Sequence, residues 1–142
     1  MDIVAVDDDR AGLDLLQMVL EAAGHTVRTC GSPRDALLLL TRSAPSVLVT
    51  DLMMDVDRLG GFRLIEQVRR LPQLDGLPVV ALTGVTSAQD LARARAAGAD
   101  VCLTKPIDVA EFLQVLAEVT ASTRATSRSA RSRRSCSTCC RS

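Results

Sequence analysis

Residues 1–30 read MDIVAVDDDR AGLDLLQMVL EAAGHTVRTC. Ile3 to Val6 is a short, β-rich apolar run, and it ends in Asp7, Asp8 and Asp9. Leu13, Leu16, Val19, Leu20 and Ala23 then recur at helical spacing and stop at Gly24, a C-terminal helix signal. His25 to Cys30 has strand character again.

Outward from this unit the alternation continues. Ser32 has the chemistry of an N-cap, with Pro33 at the first helical position before a Leu-rich stretch to Leu40. Val47 to Thr50 is strand-like. Phe62, Ile65 and Val68 begin a third helix that ends near Pro72, and Pro78 to Leu82 is a fourth strand. Ser87 and Asp90 have capping-box-like spacing before an Ala/Arg helix that stops at Gly98. Val101 to Leu103 is a fifth strand. Asp108 and Glu111 repeat the capping pattern before Phe112, Leu113, Val115, Leu116 and Val119. Five strand-helix units over residues 1–119 predict a doubly wound α/β domain, with a parallel sheet and helices on both faces.

The chain of 142 residues is 47% hydrophobic and 24% charged, which suits one domain with a core of its own. Two Phe and no Tyr or Trp argue against modules that stack nucleic-acid bases, so no specific nucleic acid is expected. No apolar run approaches the ~20 residues of a membrane span, and no basic stretch precedes the first apolar run as in a signal peptide. The expectation is a cytoplasmic protein without a membrane partner. The odd count of five Cys fits free thiols in a reducing compartment.

The net charge of zero hides a split. Residues 1–119 carry 11 basic against 17 acidic side chains, net −6, while residues 120–142 carry six Arg and no acid. The latter stretch, TASTRATSRSARSRRSCSTCCRS, lacks apolar periodicity and is expected to be a disordered basic tail. No output domain is expected in it. Cys136 and Cys139 have C-x-x-C spacing, yet three Cys without a His do not complete a zinc site, and an inert tail is the favoured reading.

Groups that do chemistry in a doubly wound sheet stand at the carboxyl ends of its strands. Here those ends bear Asp7, Asp8 and Asp9, then Asp51, then Thr83 and Gly84, then Lys105 and Pro106. Singly, each is a helix cap or a solvated loop charge. Together they make one edge of carboxylates, a hydroxyl and an ammonium. Crowded carboxylates repel, and a hard divalent cation such as Mg²⁺ relieves them. With a lysine beside them, such a site favours a phosphoryl group, and one carboxylate can accept it as an aspartyl phosphate.

In the order and spacing of VAVDDD, VLVTDLMM, VVALTG and LTKP, residues 1–119 resemble the receiver domain of two-component response regulators. The resemblance implies a flavodoxin-like sheet of order 2-1-3-4-5 with five helices. It implies a signalling module rather than an enzyme, with Asp51 as phosphoacceptor. Mg²⁺ would be held by Asp8, Asp51 and the main-chain carbonyl of Met53, with Asp7 bound directly or through water. Asp9 would cap the helix. Thr83 would be the switch hydroxyl, Gly84 would keep the approach open, Lys105 would pair with the phosphoryl charge, and Lys105–Pro106 would be cis. The implied donor is a sensor histidine kinase or phosphotransfer protein, or a small phosphodonor. The implied output is the face of helix 4, strand 5 and helix 5, which binds a downstream protein target or a second receiver as a dimer. The alternative is a degenerate receiver that binds partners without phosphorylation.

Three departures from the family pattern stand out. Asp55 takes the place of a proline, and Gly60 and Gly61 arrive about two residues late, which reads as a harmless surface insertion. Cys102 takes the place of the switch aromatic and reads as a small buried thiol. Met53 and Val85 stand where side chains flank the hydrolytic water, which predicts slow self-dephosphorylation. His25 reads as a solvated loop residue, so the phosphoryl group has to come from elsewhere. A phosphatase passing through an aspartyl phosphate fits poorly, because Met53 occupies the position of its general acid. The chain is then a stand-alone receiver or a truncated or frame-shifted form of a longer one.

Overall fold

The computed structural model describes residues 1–54, 59–84 and 87–133, with 122–133 as backbone path. Its elements are β1 (Asp2–Val6), α1 (Arg10–Ala22), β2 (Thr26–Cys30), α2 (Pro33–Arg42), β3 (Val47–Asp51), α3 (Gly60–Arg70), β4 (Val79–Thr83), α4 (Ala88–Ala97), β5 (Val101–Thr104) and α5 (Val109–Arg133), with a short 3₁₀ turn at Pro72–Leu74. All five strands are parallel, in the order β2-β1-β3-β4-β5, as expected.

The sheet separates two cores by strand parity. Ile3 and Ala5, Val47 and Val49, and Val80 and Leu82 face Leu13 and Leu20 of α1 and Phe112, Leu116 and Val119 of α5. Val4 and Val6, Leu48, and Val79 and Ala81 face Leu40, Phe62, Ile65, Val68 and Ala94 of α2, α3 and α4. Near-continuous apolar strands follow from this burial on both faces.

Local signals act where the spacing put them. The Asp35 amide donates to Ser32 Oγ (3.2 Å), the Asp90 amide to Ser87 Oγ (3.1 Å) and the Glu111 amide to Asp108 Oδ1 (3.1 Å). Gly24 and Gly98 leave α1 and α4 with φ of +93° and +122°, values that favour glycine. At Gly98 a side chain would also meet Arg69. That guanidinium donates to the carbonyls of Gly98, Asp75 and Leu77 and to Asp100 Oδ2, at 2.7–3.1 Å. Asp100 Oδ2 in turn accepts the Val79 amide at 2.8 Å. Arg69 thereby ties the end of α3 to the entries of β4 and β5.

Two boundaries differ from expectation. The last helix does not end at Val119. Thr120 is buried, its hydroxyl donates to the Leu116 carbonyl (2.8 Å), and α5 runs on to Arg133. The packed turns of α5 already meet the nucleation cost, and residues such as Ala and Arg propagate a helix readily. Residues 134–142, including Cys136, Cys139 and Cys140, lie outside the described residues. The second correction is the Gly60–Gly61 pair. Asp55 to Arg58 lie outside the described residues, but both glycines are buried, and α3 begins at Gly60 rather than Phe62. Among the described residues no helix is long and apolar enough to cross a membrane.

Candidate functional site: an acidic pocket at the strand ends

Strand parity carries three charges to one place. Asp7 continues the stripe Ile3–Ala5, Asp51 continues Val47–Val49, and Lys105 continues Val101–Leu103. All three therefore stand above the α1–α5 core at the carboxyl edge of the parallel sheet. The Asp7 amide donates to the Cys30 carbonyl (3.2 Å), the Leu52 amide to Leu82 (3.0 Å) and the Lys105 amide to Thr83 (2.8 Å), so backbone bonds lock each strand end. The register sets Asp51 opposite Leu82 and Thr83 opposite Thr104, which puts Thr83 one step beyond Asp51.

Lys105 Nζ lies 3.2 Å from Asp7 Oδ2 and 3.5 Å from Asp51 Oδ2. One carboxylate oxygen each from Asp7, Asp8 and Asp51 lie within 4.8 Å of one another. Asp7 and Asp51 are buried, Asp8 is half-buried, and Thr83 is fully buried. Asp7 and Asp51 thus share one ammonium. Burial and the Asp7 charge push the Asp51 carboxyl up to about 6, against the pull of Lys105. Burial works to lower the Lys105 ammonium, but the Asp51 and Asp7 carboxylates outweigh it and raise it. This hard, oxygen-only donor set fits a divalent cation such as Mg²⁺.

The other expected residues fall as follows. Asp9 occupies the N-cap of α1, but its side chain makes no cap hydrogen bond; its amide donates to Asp7 Oδ1 at 3.0 Å and so orients that carboxylate. Lys105–Pro106 is cis. Gly84 is exposed, and a Cβ there would meet none of the described atoms within 4 Å, so crowding does not require glycine. The Met53 side chain packs on the α2–α4 core. Val85 lies outside the described residues. Cys102 is half-buried against the same core, and burial pushes its thiol up, so it is protonated at neutral pH. His25 is half-buried rather than solvated: its Nδ1 is 3.0 Å from the terminal amine of Met1, at the opposite end of the sheet from Asp51.

One site-forming residue escaped the sequence reading. A Cβ on Gly61 would overlap the Asp51 carbonyl and the Leu52 backbone, and the Gly61 amide donates to the Leu52 carbonyl at 3.1 Å. Gly61 lets the start of α3 press directly on the strand end that bears Asp51. The adjacent glycine pair ahead of the Phe62 periodicity was the available signal.

Residues 3–117 match the response regulator receiver domain family. The chain is 40% identical over 116 residues to the "Uncharacterized 14.6 kDa protein in sodA1 3'region" of Leptolyngbya boryana, covering 82% of this chain and 87% of that one. It is 35% identical over 111 residues to the DNA-binding dual master transcriptional regulator RpaA of Synechocystis sp., covering 78% of this chain but 45% of that regulator. The chemotaxis protein CheY4 of Vibrio cholerae superposes with a TM-score of 0.77 at 30% identity, over 83% of this chain and 97% of that one. A match this long, on a sheet of this order with its acidic pocket at the expected edge, means that the chain belongs to the response regulator receiver family.

Proposed function

We propose that the chain accepts a phosphoryl group on Asp51 and signals through the state of that residue. Receiver domains are signalling modules, and the observation that carries the reading here is the convergence of Asp7, Asp8, Asp51 and Lys105 on one pocket. The Asp51 carboxylate is the nucleophile. Lys105, within ion-pair distance of it, neutralises an incoming phosphoryl oxygen, and the Thr83 hydroxyl hydrogen-bonds another once Asp51 is modified. Asp7, Asp8, Asp51 and the Met53 carbonyl are the residues that would hold Mg²⁺. When bound, that ion supplies charge neutralisation for the phosphoryl oxygens.

The donor is a sensor histidine kinase or a phosphotransfer protein, and the site of action is the cytoplasm. Output runs through the face of α4, β5 and α5 to a downstream protein or a second receiver. Cys102 in β5 lacks the ring that would swing between buried and exposed states, so Thr83 is coupled to that face through other groups. The phosphoryl-accepting unit is residues 1–119, with the basic segment 120–142 as an appendage.

The test is incubation with Mg²⁺ and acetyl phosphate, read by intact mass. A phosphate-sized gain that disappears in Asp51→Asn is the expected result. No gain under these conditions would favour a receiver that binds partners without phosphorylation.

A further inference from the structure

α5 buries its first turns and then continues. Phe112, Leu116 and Val119 pack in the core and Thr120 is buried, yet the helix runs on from Ala121 to Arg133. At 1.5 Å per residue this adds about 20 Å of helix. α5 starts at the carboxyl edge of the sheet and packs along it through Val119, so the extension leaves at the edge opposite the acidic pocket. Arg124, Arg128 and Arg131 follow one another at intervals of four and three. In helical register they share an arc of about 60°, about a third of a turn round from the stripe of Phe112, Leu116 and Val119. Ala117 and Ala121, both exposed, precede them on the same side, while Glu111 and Glu118 lie on another. From Thr120 to Ser142 the sequence holds no acidic residue. An unordered segment would scatter such charges, whereas a helix sets them in a row.

The composition of this segment selects the partner. From Ala121 to Arg133 its only apolar residues are Ala, so it has nothing to bury in a lipid surface. It has no aromatic side chain on which the bases of a single strand could stack. The carboxylates of a second copy are a weaker match, because Asp2, Asp7, Asp51 and Asp100 already face Arg28, Lys105 or Arg69. A DNA duplex presents one phosphate per ~1.7 Å of its axis, and a guanidinium matches phosphate with paired N–H donors. Its major groove, about 12 Å wide, admits an α-helix, whereas that of duplex RNA is deep and narrow. We propose that the α5 extension lays its row of Arg on the phosphates of duplex DNA and holds the receiver there without reading base sequence. This contact is independent of the chemistry at Asp51.

The experiment is fluorescence anisotropy of the full chain with two labelled DNA duplexes of unrelated sequence, each about 20 base pairs, from about 50 to about 200 mM NaCl. Both duplexes should bind alike. Phosphate contacts through Arg124, Arg128, Arg131 and Arg133 give a slope of log K against log salt of about −3.6, so affinity should fall about a hundredfold over that range. Arg124→Gln, Arg128→Gln and Arg131→Gln should each flatten the slope by about one, whereas Arg42→Gln on α2 should leave it unchanged. Ala125→Pro keeps every Arg but interrupts the helix, and should weaken binding about tenfold. Undiminished binding by Ala125→Pro, or a slope that the Arg substitutions leave in place, overturns the helical row. A tenfold preference between the duplexes overturns readout through phosphates alone. No binding at the lowest salt overturns the proposal, as does tighter binding of single-stranded DNA or duplex RNA. Binding to phosphatidylserine vesicles in place of DNA would assign the segment to a lipid surface. Arg-dependent self-association in sedimentation, without DNA binding, would assign it to a second copy. Either result overturns the proposal.

Discussion

Asp51→Asn should stabilise the metal-free protein. Asp51 is buried beside Asp7, with its carboxyl held at about 6 rather than 3.8. A carboxyl whose pKa is higher in the folded chain binds its proton more tightly there. Wild-type stability therefore falls as pH rises from about 4 to about 6 and stays low above that. At ~1.4 kcal/mol per pH unit, discounted for screening by solvent, the deficit at pH 7.5 is on the order of 1–3 kcal/mol. The amide carries no charge and lacks this deficit. Lys105 keeps Asp7 as a partner at 3.2 Å, so the substitution does not strand an ammonium. Lys105's own raised pKa acts only in the alkaline range, where its contribution is lost as pH rises through the folded value.

The assay is urea unfolding in EDTA at pH 7.5 and again near pH 4. The variant's midpoint should lie about 1–2 M higher at pH 7.5, and the difference should shrink toward zero at the lower pH. Adding Mg²⁺ at pH 7.5 should stabilise the wild type and narrow the gap. A difference independent of pH would mean that packing, not charge, separates the two proteins, and would refute the electrostatic account. Lys105→Met offers a cross-check by carboxyl NMR. Removing the one ammonium that lowers Asp51 should move its titration further up, and an unmoved titration would contradict the assigned cause.

Three further outcomes follow from particular contacts. Gly61→Ala should cost about 1–3 kcal/mol in urea unfolding, because its methyl meets backbone at Asp51 and Leu52, whereas Gly31→Ala, with nothing within 4 Å, should be nearly silent. Arg69→Met should cost about 3 kcal/mol by the same measurement, since the carbonyls of Gly98 and Leu77 lose their charged donor, and Arg69→Lys should recover little because one ammonium cannot span them. Met53→Asn should shorten the lifetime of phosphorylated Asp51 several-fold in a decay series read by intact mass. Met53 packs on apolar neighbours and cannot position a water, so an unchanged decay would remove it as a cause of slow dephosphorylation.

The alternation of apolar runs with capped helices made the fold legible, because both periodicities come from burial. Ser32, Ser87 and Asp108 mark helix starts by a local bond that needs no tertiary information. The site was legible for a related reason. Ile3–Ala5–Asp7, Val47–Val49–Asp51 and Val101–Leu103–Lys105 each end an apolar stripe of period two with a charge, so one face of the sheet had to gather all three. What stayed illegible depended on partners distant in the chain. Nothing local in Arg69 says that it meets four carbonyl and carboxylate groups from two other loops. Gly61 reads as part of a loop until the Asp51 backbone is seen against it. The helical course of α5 beyond Thr120 escaped because composition argues for disorder there, whereas a helix already docked through Phe112 and Leu116 has met its nucleation cost.

The same geometry explains how such a pocket survives in a folded chain. Like charges under one sheet edge oppose folding, and the Asp51 carboxyl registers that opposition as a raised pKa. The compensation lies below them in two cores, with Ile3, Val49 and Phe112 on one face and Leu48, Ile65 and Val68 on the other, all essentially buried. The strand ends are then held by neighbours that cannot relax away: the Thr50 hydroxyl on the Asp51 carbonyl at 3.0 Å, the Leu52 amide on Leu82, and Gly61 against the backbone that follows. Because the scaffold does not yield, the repulsion between Asp7 and Asp51 remains in the pocket and is relieved by protonation of Asp51 or by something that brings positive charge. A cation bound among the carboxylates acts on this repulsion. Occupation of this pocket is thereby linked to the stability of the whole sheet.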